Sequence, residues 1–216
     1  MREVTILATG FSVFPGAPEN PTAWAIGELE RSGWRPEGAR LLTHTFDVRF
    51  DLWERQAQPL IAKAKPDAFV AFGLSAKATG VTLESTARNS VAVDRPDFAG
   101  ACASASCVID EAPAVHPTRL PLAAISGALR SANMPLAHSD DAGDYLCNLL
   151  FYRLMHVGPR VAGFVHVPYL DTQLARLRAA GHTLSAASTL TEEQLLTAVK
   201  TIIECCARAA HEGAVA

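Results

Sequence analysis

The first apolar block, Val4-Thr5-Ile6-Leu7-Ala8-Thr9, is nearly continuous and rich in β-branched residues, and Gly10 stops it. Runs of this kind fit a strand covered on both faces of a sheet. After Asn20-Pro21 the period changes: Ala23, Ile26 and Leu29 recur at helical spacing and Gly33 closes the stretch. Leu41 to Phe46 alternates weakly and predicts a second strand. Leu52, Ala57, Leu60, Ile61 and Ala64 predict a helix over Leu52 to Lys65, ended by Pro66-Asp67. Ala68 to Leu74 is a third buried strand. Strand, helix, strand, helix, strand is the rhythm of an α/β fold with a largely parallel sheet. Val81 to Ile109 is β-leaning and irregular. Helices are predicted over Pro121 to Ser131 and Gly143 to His156, and a strand over Val161 to Val167, ended by Pro168. Thr191 to His211 predicts an amphipathic helix burying Leu195, Leu196, Val199, Ile202, Ile203 and Cys206. With no repeat, low-complexity tract or dividing linker, residues 1–216 are expected to form one domain.

Composition narrows the classes of function. Apolar residues make up 49% of the 216, enough for a sizeable core, and the formal net charge is −3 with charges scattered. A nucleic-acid or anionic-membrane binder needs a basic face, so neither partner is expected. No apolar run approaches the roughly 20 residues needed to cross a bilayer. The opening MREVTILATGF reads as a strand rather than a signal peptide, and five cysteines do not make a disulfide scaffold. The expectation is a cytoplasmic protein with reduced thiols.

Three polar residues stand out against apolar surroundings. Cys147 follows Gly143-Asp144, which reads as a helix start with Asp144 as its cap. A cysteine in the first turn meets unpaired N–H groups and the positive end of the helix dipole, which favour the nucleophilic thiolate. His166 ends an apolar strand just before Pro168, at the edge where open α/β sheets bind ligands. His156 lies nine positions beyond Cys147 on the same helix, about 900° of rotation, and so faces away; His166 is the better base. Glu84, a carboxylate in a β-leaning segment, could orient a histidine ring. Each also has a structural reading: a packed thiol, a histidine satisfied by a carbonyl, an exposed strand face. Phe11 and Phe14, three apart in a turn-rich loop, either cover the core or wall a flat apolar pocket. No phosphate-binding glycine motif is present. Cys102 and Cys107 lack a second ligand pair, and no histidine pair has metal-ligand spacing, so no metal is expected.

Four segments taken together resemble the pyroglutamyl peptidase I (pyrrolidone-carboxylate peptidase) family of cysteine peptidases. They are GFSVFPGAPENP, FGLSAKATGVTLE, SDDAGDYLCN and GFVHVPYL, in the family's order from about Val4 to Leu170. The resemblance implies Cys147 as nucleophile, His166 as general base and Glu84 as its orienting acid. It implies Phe11 and Phe14 flanking a pyroglutamyl ring, Tyr145 as a further aromatic of the pocket and Asn20 as the loop's asparagine, grouped with the substrate-binding set. Arg95 is the candidate for the family's arginine after the acidic strand, with Arg88 the other. Val13, Pro15 and Leu74 depart from the family pattern. The implied fold is a single three-layer α/β/α sandwich. The implied protein is cytosolic, needs no metal or cofactor, acts on pyroglutamyl peptides and assembles as a homo-oligomer, a tetramer. Two alternatives stay open: a related cysteine amidohydrolase with a shifted N-blocked substrate, and a catalytically silent homologue that binds a small ligand.

Overall fold

A computed structural model of the chain describes residues 2–14 and 17–214. In chain order the elements are β1 (Val4–Phe11), α1 (Pro21–Ser32), β2 (Ala39–Phe46), one π-helical turn (Trp53–Ala57) and α2 (Gln58–Ala64). Next come β3 (Ala68–Leu74), β4 (Val81–Glu84), β5 (Thr86–Arg88), β6 (Val115–Pro117), α3 (Leu122–Ser131) and β7 (Leu136–Ser139). The chain ends with α4 (Leu146–Val157), β8 (Val161–Val167), β9 (Tyr169–Leu170), α5 (Asp171–Ala179), β10 (Thr189–Leu190) and α6 (Glu192–Ala214).

Six strands form the central sheet in the order β2-β1-β3-β8-β4-β7. β2, β1, β3 and β8 are mutually parallel, and β4 runs antiparallel to β8 with β7 parallel to β4. Because side chains alternate along a strand, each strand feeds both faces. Val4, Ile6 and Ala8 of β1, Val70 and Phe72 of β3, and Val165 and Val167 of β8 pack with α1, α3 and α6. Leu7 and Phe11, Phe69 and Ala71, and Ala162 and Phe164 pack on the other face with α4 and the π-helical turn. This is a three-layer α/β/α sandwich with a mostly parallel sheet. Burial on both sides is the physical reason that β1, β3 and β8 read as nearly continuous apolar runs.

Four predicted features change. α4 begins at Leu146, three residues later than expected, with Tyr145 at the cap position and no side-chain cap. Asp144 does not cap it; its carboxylate instead accepts a hydrogen bond from Arg95 at 3.1 Å. The predicted helix over Leu52 to Lys65 opens with the π-helical turn, whose Gln58 N–H donates to Trp53 O. Pro59 follows at the start of α2 and has no N–H to extend an α-helical ladder back to Arg55. β1 runs through Gly10 to Phe11, and Gly10 serves packing: a Cβ there would sit 2.8 Å from the carbonyl oxygen of Thr22. Leu196 of α6 is half-buried, while the other members of its predicted stripe are buried.

Candidate active site

The alternation that builds the core also builds the site. On β8, His166 shares the α4 face with Ala162 and Phe164; on β4, Glu84 and Thr82 point to the same side, away from Val81 and Leu83. In the antiparallel β4–β8 pair Thr82 lies opposite His166, which makes Glu84 the diagonal neighbour two residues on. A long side chain reaches across such a diagonal. Glu84 Oε1 is 2.7 Å from His166 Nδ1, with both residues buried. On β3, Gly73 is the register partner of His166. A Cβ on Gly73 would lie 2.7 Å from the Phe164 ring and 3.0 Å from Cys147 Sγ. The missing side chain is what lets the thiol of α4 come down onto the sheet beside the imidazole.

Cys147 is the second residue of α4. Its N–H is among the first four of the helix, which lack an intrahelical carbonyl. The sulfur lies beside the imidazole, 3.0 Å from where a Cβ would stand on Gly73, the register partner of His166. Burial disfavours charge on the imidazole, but the hydrogen bond and charge of Cys147, then those of Glu84, outweigh it, and the His166 pKa is pushed up to about 9. Cys147, His166 and Glu84 thus lie in one row, with the sulfur beside the imidazole and the imidazole bonded to the carboxylate.

The row opens into a cleft of about 460 Å³. Phe11, Phe14 and Val48 line it from one side, Leu74 to Lys77 and Tyr169 from another, and Ala142 to Cys147 from the start of α4. Tyr145 is held edge-on to Phe50 at 5.6 Å between ring centroids, and its hydroxyl donates to Pro96 O at 2.8 Å. The Arg95 guanidinium lies 4.4 Å above the Tyr145 ring, within cation–π range, while pairing with Asp144. The predicted residues Phe11, Phe14, Tyr145, Asn20 and Arg95 all line this one cleft.

Their roles differ. Asn20 is buried, its oxygen accepts from Thr22 N at 3.0 Å and from Thr22 Oγ1 at 2.8 Å, and its nitrogen donates to Ser12 O at 3.2 Å. It caps α1 and fixes the loop that carries Phe14. Arg88 is turned away from the cleft toward Asp140 and Asp141. His156 is likewise elsewhere, with its Nδ1 3.2 Å from His116 Nε2. Val13 is exposed, Leu74 lines the cleft, and Pro15 lies outside the described residues. Among the described residues no cluster of three or more metal-ligating side chains forms, all five cysteines are free thiols, and no helix is long and apolar enough to cross a membrane.

One positioning residue goes beyond the expected set. Asn148, next to Cys147 and fully buried, accepts from Arg88 N at 3.0 Å and donates to Arg88 O and Ser90 O, each at 2.8 Å. It bolts the start of α4 to β5 and the residues just after it. Its signal in the sequence was a polar residue amid Leu146, Leu149, Leu150 and Phe151.

Comparison with known proteins settles the family. The family model described as pyroglutamyl peptidase matches residues 4–209. The chain belongs to the pyroglutamyl peptidase family. It is 32% identical over 183 residues to pyrrolidone-carboxylate peptidase 1 of Ralstonia nicotianae, with 82% of each chain covered. It is also 32% identical over 173 residues to the pyrrolidone-carboxylate peptidase of Thermococcus onnurineus, covering 78% of this chain and 85% of that one. Among solved structures, a mutant (E192I) pyrrolidone carboxyl peptidase of Pyrococcus furiosus matches with a TM-score of 0.86 at 26% identity, covering 95% of this chain and 99% of the other.

Proposed function

We propose that this protein is a pyroglutamyl peptidase that removes N-terminal pyroglutamate from peptides through Cys147, His166 and Glu84. The observation that carries the reading is the buried Glu84–His166 pair at 2.7 Å, with the Cys147 sulfur beside the same imidazole in one cleft. Pyroglutamate is a closed lactam without a charged amine, so its site needs a flat apolar slot and a few hydrogen bonds. Phe11, Phe14 and Tyr145 supply the aromatic walls of such a slot beside the sulfur. In this reading Asn20 and Asn148 position the machinery, and Arg95 holds Tyr145 in place.

The chemistry follows from the electrostatics. The Cys147 thiolate attacks the pyroglutamyl carbonyl, and free N–H groups at the start of α4 face the oxyanion that develops. The carbon–nitrogen bond breaks as His166 gives its proton to the leaving amine, which leaves a thioester on Cys147. Acylation removes the charge on sulfur that helped to raise the His166 pKa. The imidazole is then a competent base: it takes a proton from water, hydroxide adds to the thioester carbonyl, and free pyroglutamate departs from the restored thiolate. Glu84 holds the ring and balances its positive charge throughout.

The chain is read as one domain, acting in the cytoplasm without metal or cofactor and assembling with copies of itself as a tetramer. Matched peptides that begin with pyroglutamate, N-acetyl-glutamine or free glutamine test the substrate. Mass spectrometry is expected to record loss of the first residue from the pyroglutamyl peptide alone. Cleavage of the acetylated peptide instead would point to a different N-blocked substrate, and binding of the pyroglutamyl peptide without cleavage would point to a silent homologue.

A further inference from the structure

The charges around the cleft have the opposite sign to the chain. The whole chain carries −3, yet the exposed side chains that line the cleft include Lys77 and Arg95 against Asp144 alone. Asp144 is committed to Arg95 at 3.1 Å. Among the described residues Lys77 has no ion-pair partner, which makes it the uncompensated cation of the rim.

Lys77 is also held in a defined place. It sits at a corner of the turn Ser75–Ala78, closed by Ala78 N donating to Ser75 O at 3.0 Å. Ser75 N donates to Val167 O at 2.9 Å, which ties the turn to the residue after His166. On the far side, Ala187 N donates to Ala76 O at 2.9 Å. The turn therefore flanks the imidazole that must protonate the leaving amine. In the proposed reading Phe11, Phe14 and Tyr145 take the acyl half of the substrate, which leaves the cleft wall from Leu74 to Lys77 for the half that departs.

From this placement we infer that Lys77 is a specificity-determining residue that favours leaving groups bearing a carboxylate close to the scissile bond, such as an Asp or Glu residue following pyroglutamate. The inference rests on the proposed peptidase activity and adds to it the charge of the preferred leaving group. An exposed lysine paired with one carboxylate changes a rate by about two- to fivefold, and added salt screens the pair.

The test compares kcat/KM for pyroglutamyl-Asp-amide and pyroglutamyl-Asn-amide, which differ in charge and hardly in shape. For the wild type at low salt, about 0.05 M, the Asp/Asn ratio is expected at about two to five, falling toward one near 0.5 M. Lys77→Gln is expected to bring the ratio to about one, and Lys77→Glu to take it below one. A wild-type ratio of one or less, or a preference that survives Lys77→Glu, overturns the assignment. These outcomes require turnover of the Asn peptide. No turnover of either peptide by the folded wild type overturns the peptidase reading itself, and this inference with it.

Discussion

At the residue scale, the proposed reaction turns on His166. Its pKa of about 9 is raised above the ordinary histidine value, chiefly by Cys147 and then by Glu84, against the opposing effect of burial. A raised pKa means that the stabilisation is fully present below the unfolded value near 6.5 and is lost as pH rises through about 9. Acylation by a protonated imidazole therefore falls off on the alkaline side near pH 9, which the pH profile of kcat/KM for a pyroglutamyl amide checks. In Cys147→Ala, where the sulfur's contribution is gone, NMR titration is expected to find the His166 midpoint well below its wild-type position. An unmoved midpoint would contradict the coupling. Glu84→Gln keeps a hydrogen-bonding side chain but removes the charge and admits the wrong ring tautomer; the expected loss in kcat is on the order of 10²–10⁴-fold. The sequence placed Cys147, His166 and Glu84 as separate candidates, each with an ordinary structural reading. What it lacked was the pairing of β4 with β8, because an antiparallel neighbour inside a mostly parallel sheet leaves no local mark.

At the element scale, α4 shows what local patterns miss. Gly143-Asp144 has the composition of a helix start, yet the helix opens at Leu146 because Asp144 is claimed from outside. Ala92 N donates to its carbonyl at 2.7 Å and Arg95 takes its carboxylate. Neither partner is within reach of a reading by periodicity. The same applies to α5, whose buried apolar residues are few, and to the two-residue strands β9 and β10. The long apolar strands β3 and β8, by contrast, were legible to the residue. The start of α4 depends on Asn148, itself buried, whose three hydrogen bonds are worth about 1 kcal/mol each. Asn148→Ala leaves their backbone partners without a mate. It is expected to lower stability by about 2–4 kcal/mol by denaturant unfolding, and to cut kcat more than KM because the nucleophile loses its register. At the other end of the helix Arg119 donates to the carbonyls of Leu154 at 2.9 Å and Met155 at 2.6 Å, closing the C-terminus with a cation where the helix dipole favours one.

At the scale of the molecule, the parallel strands bring Phe11, Leu74 and His166 to one carboxyl edge of the sheet, and the start of α4 brings Cys147 to meet them. A doubly covered sheet places ligands at such an edge, which is why the fold class and the edge that carries the candidate site were legible in the apolar runs. Assembly was not readable, since an interface draws on surface residues scattered along the chain. Light scattering at micromolar concentration is expected to give about four times the chain mass, and a monomer would contradict the tetramer reading. In the proposed function Cys147 breaks a pyroglutamyl amide bond. Its most direct test is release of fluorophore from a pyroglutamyl-amide substrate under reducing conditions, by the wild type and by Cys147→Ala. Turnover by the wild type and a loss of about 10⁴-fold or more in the variant are expected. A folded wild type that releases nothing, or a variant that retains the activity, would contradict the proposed function.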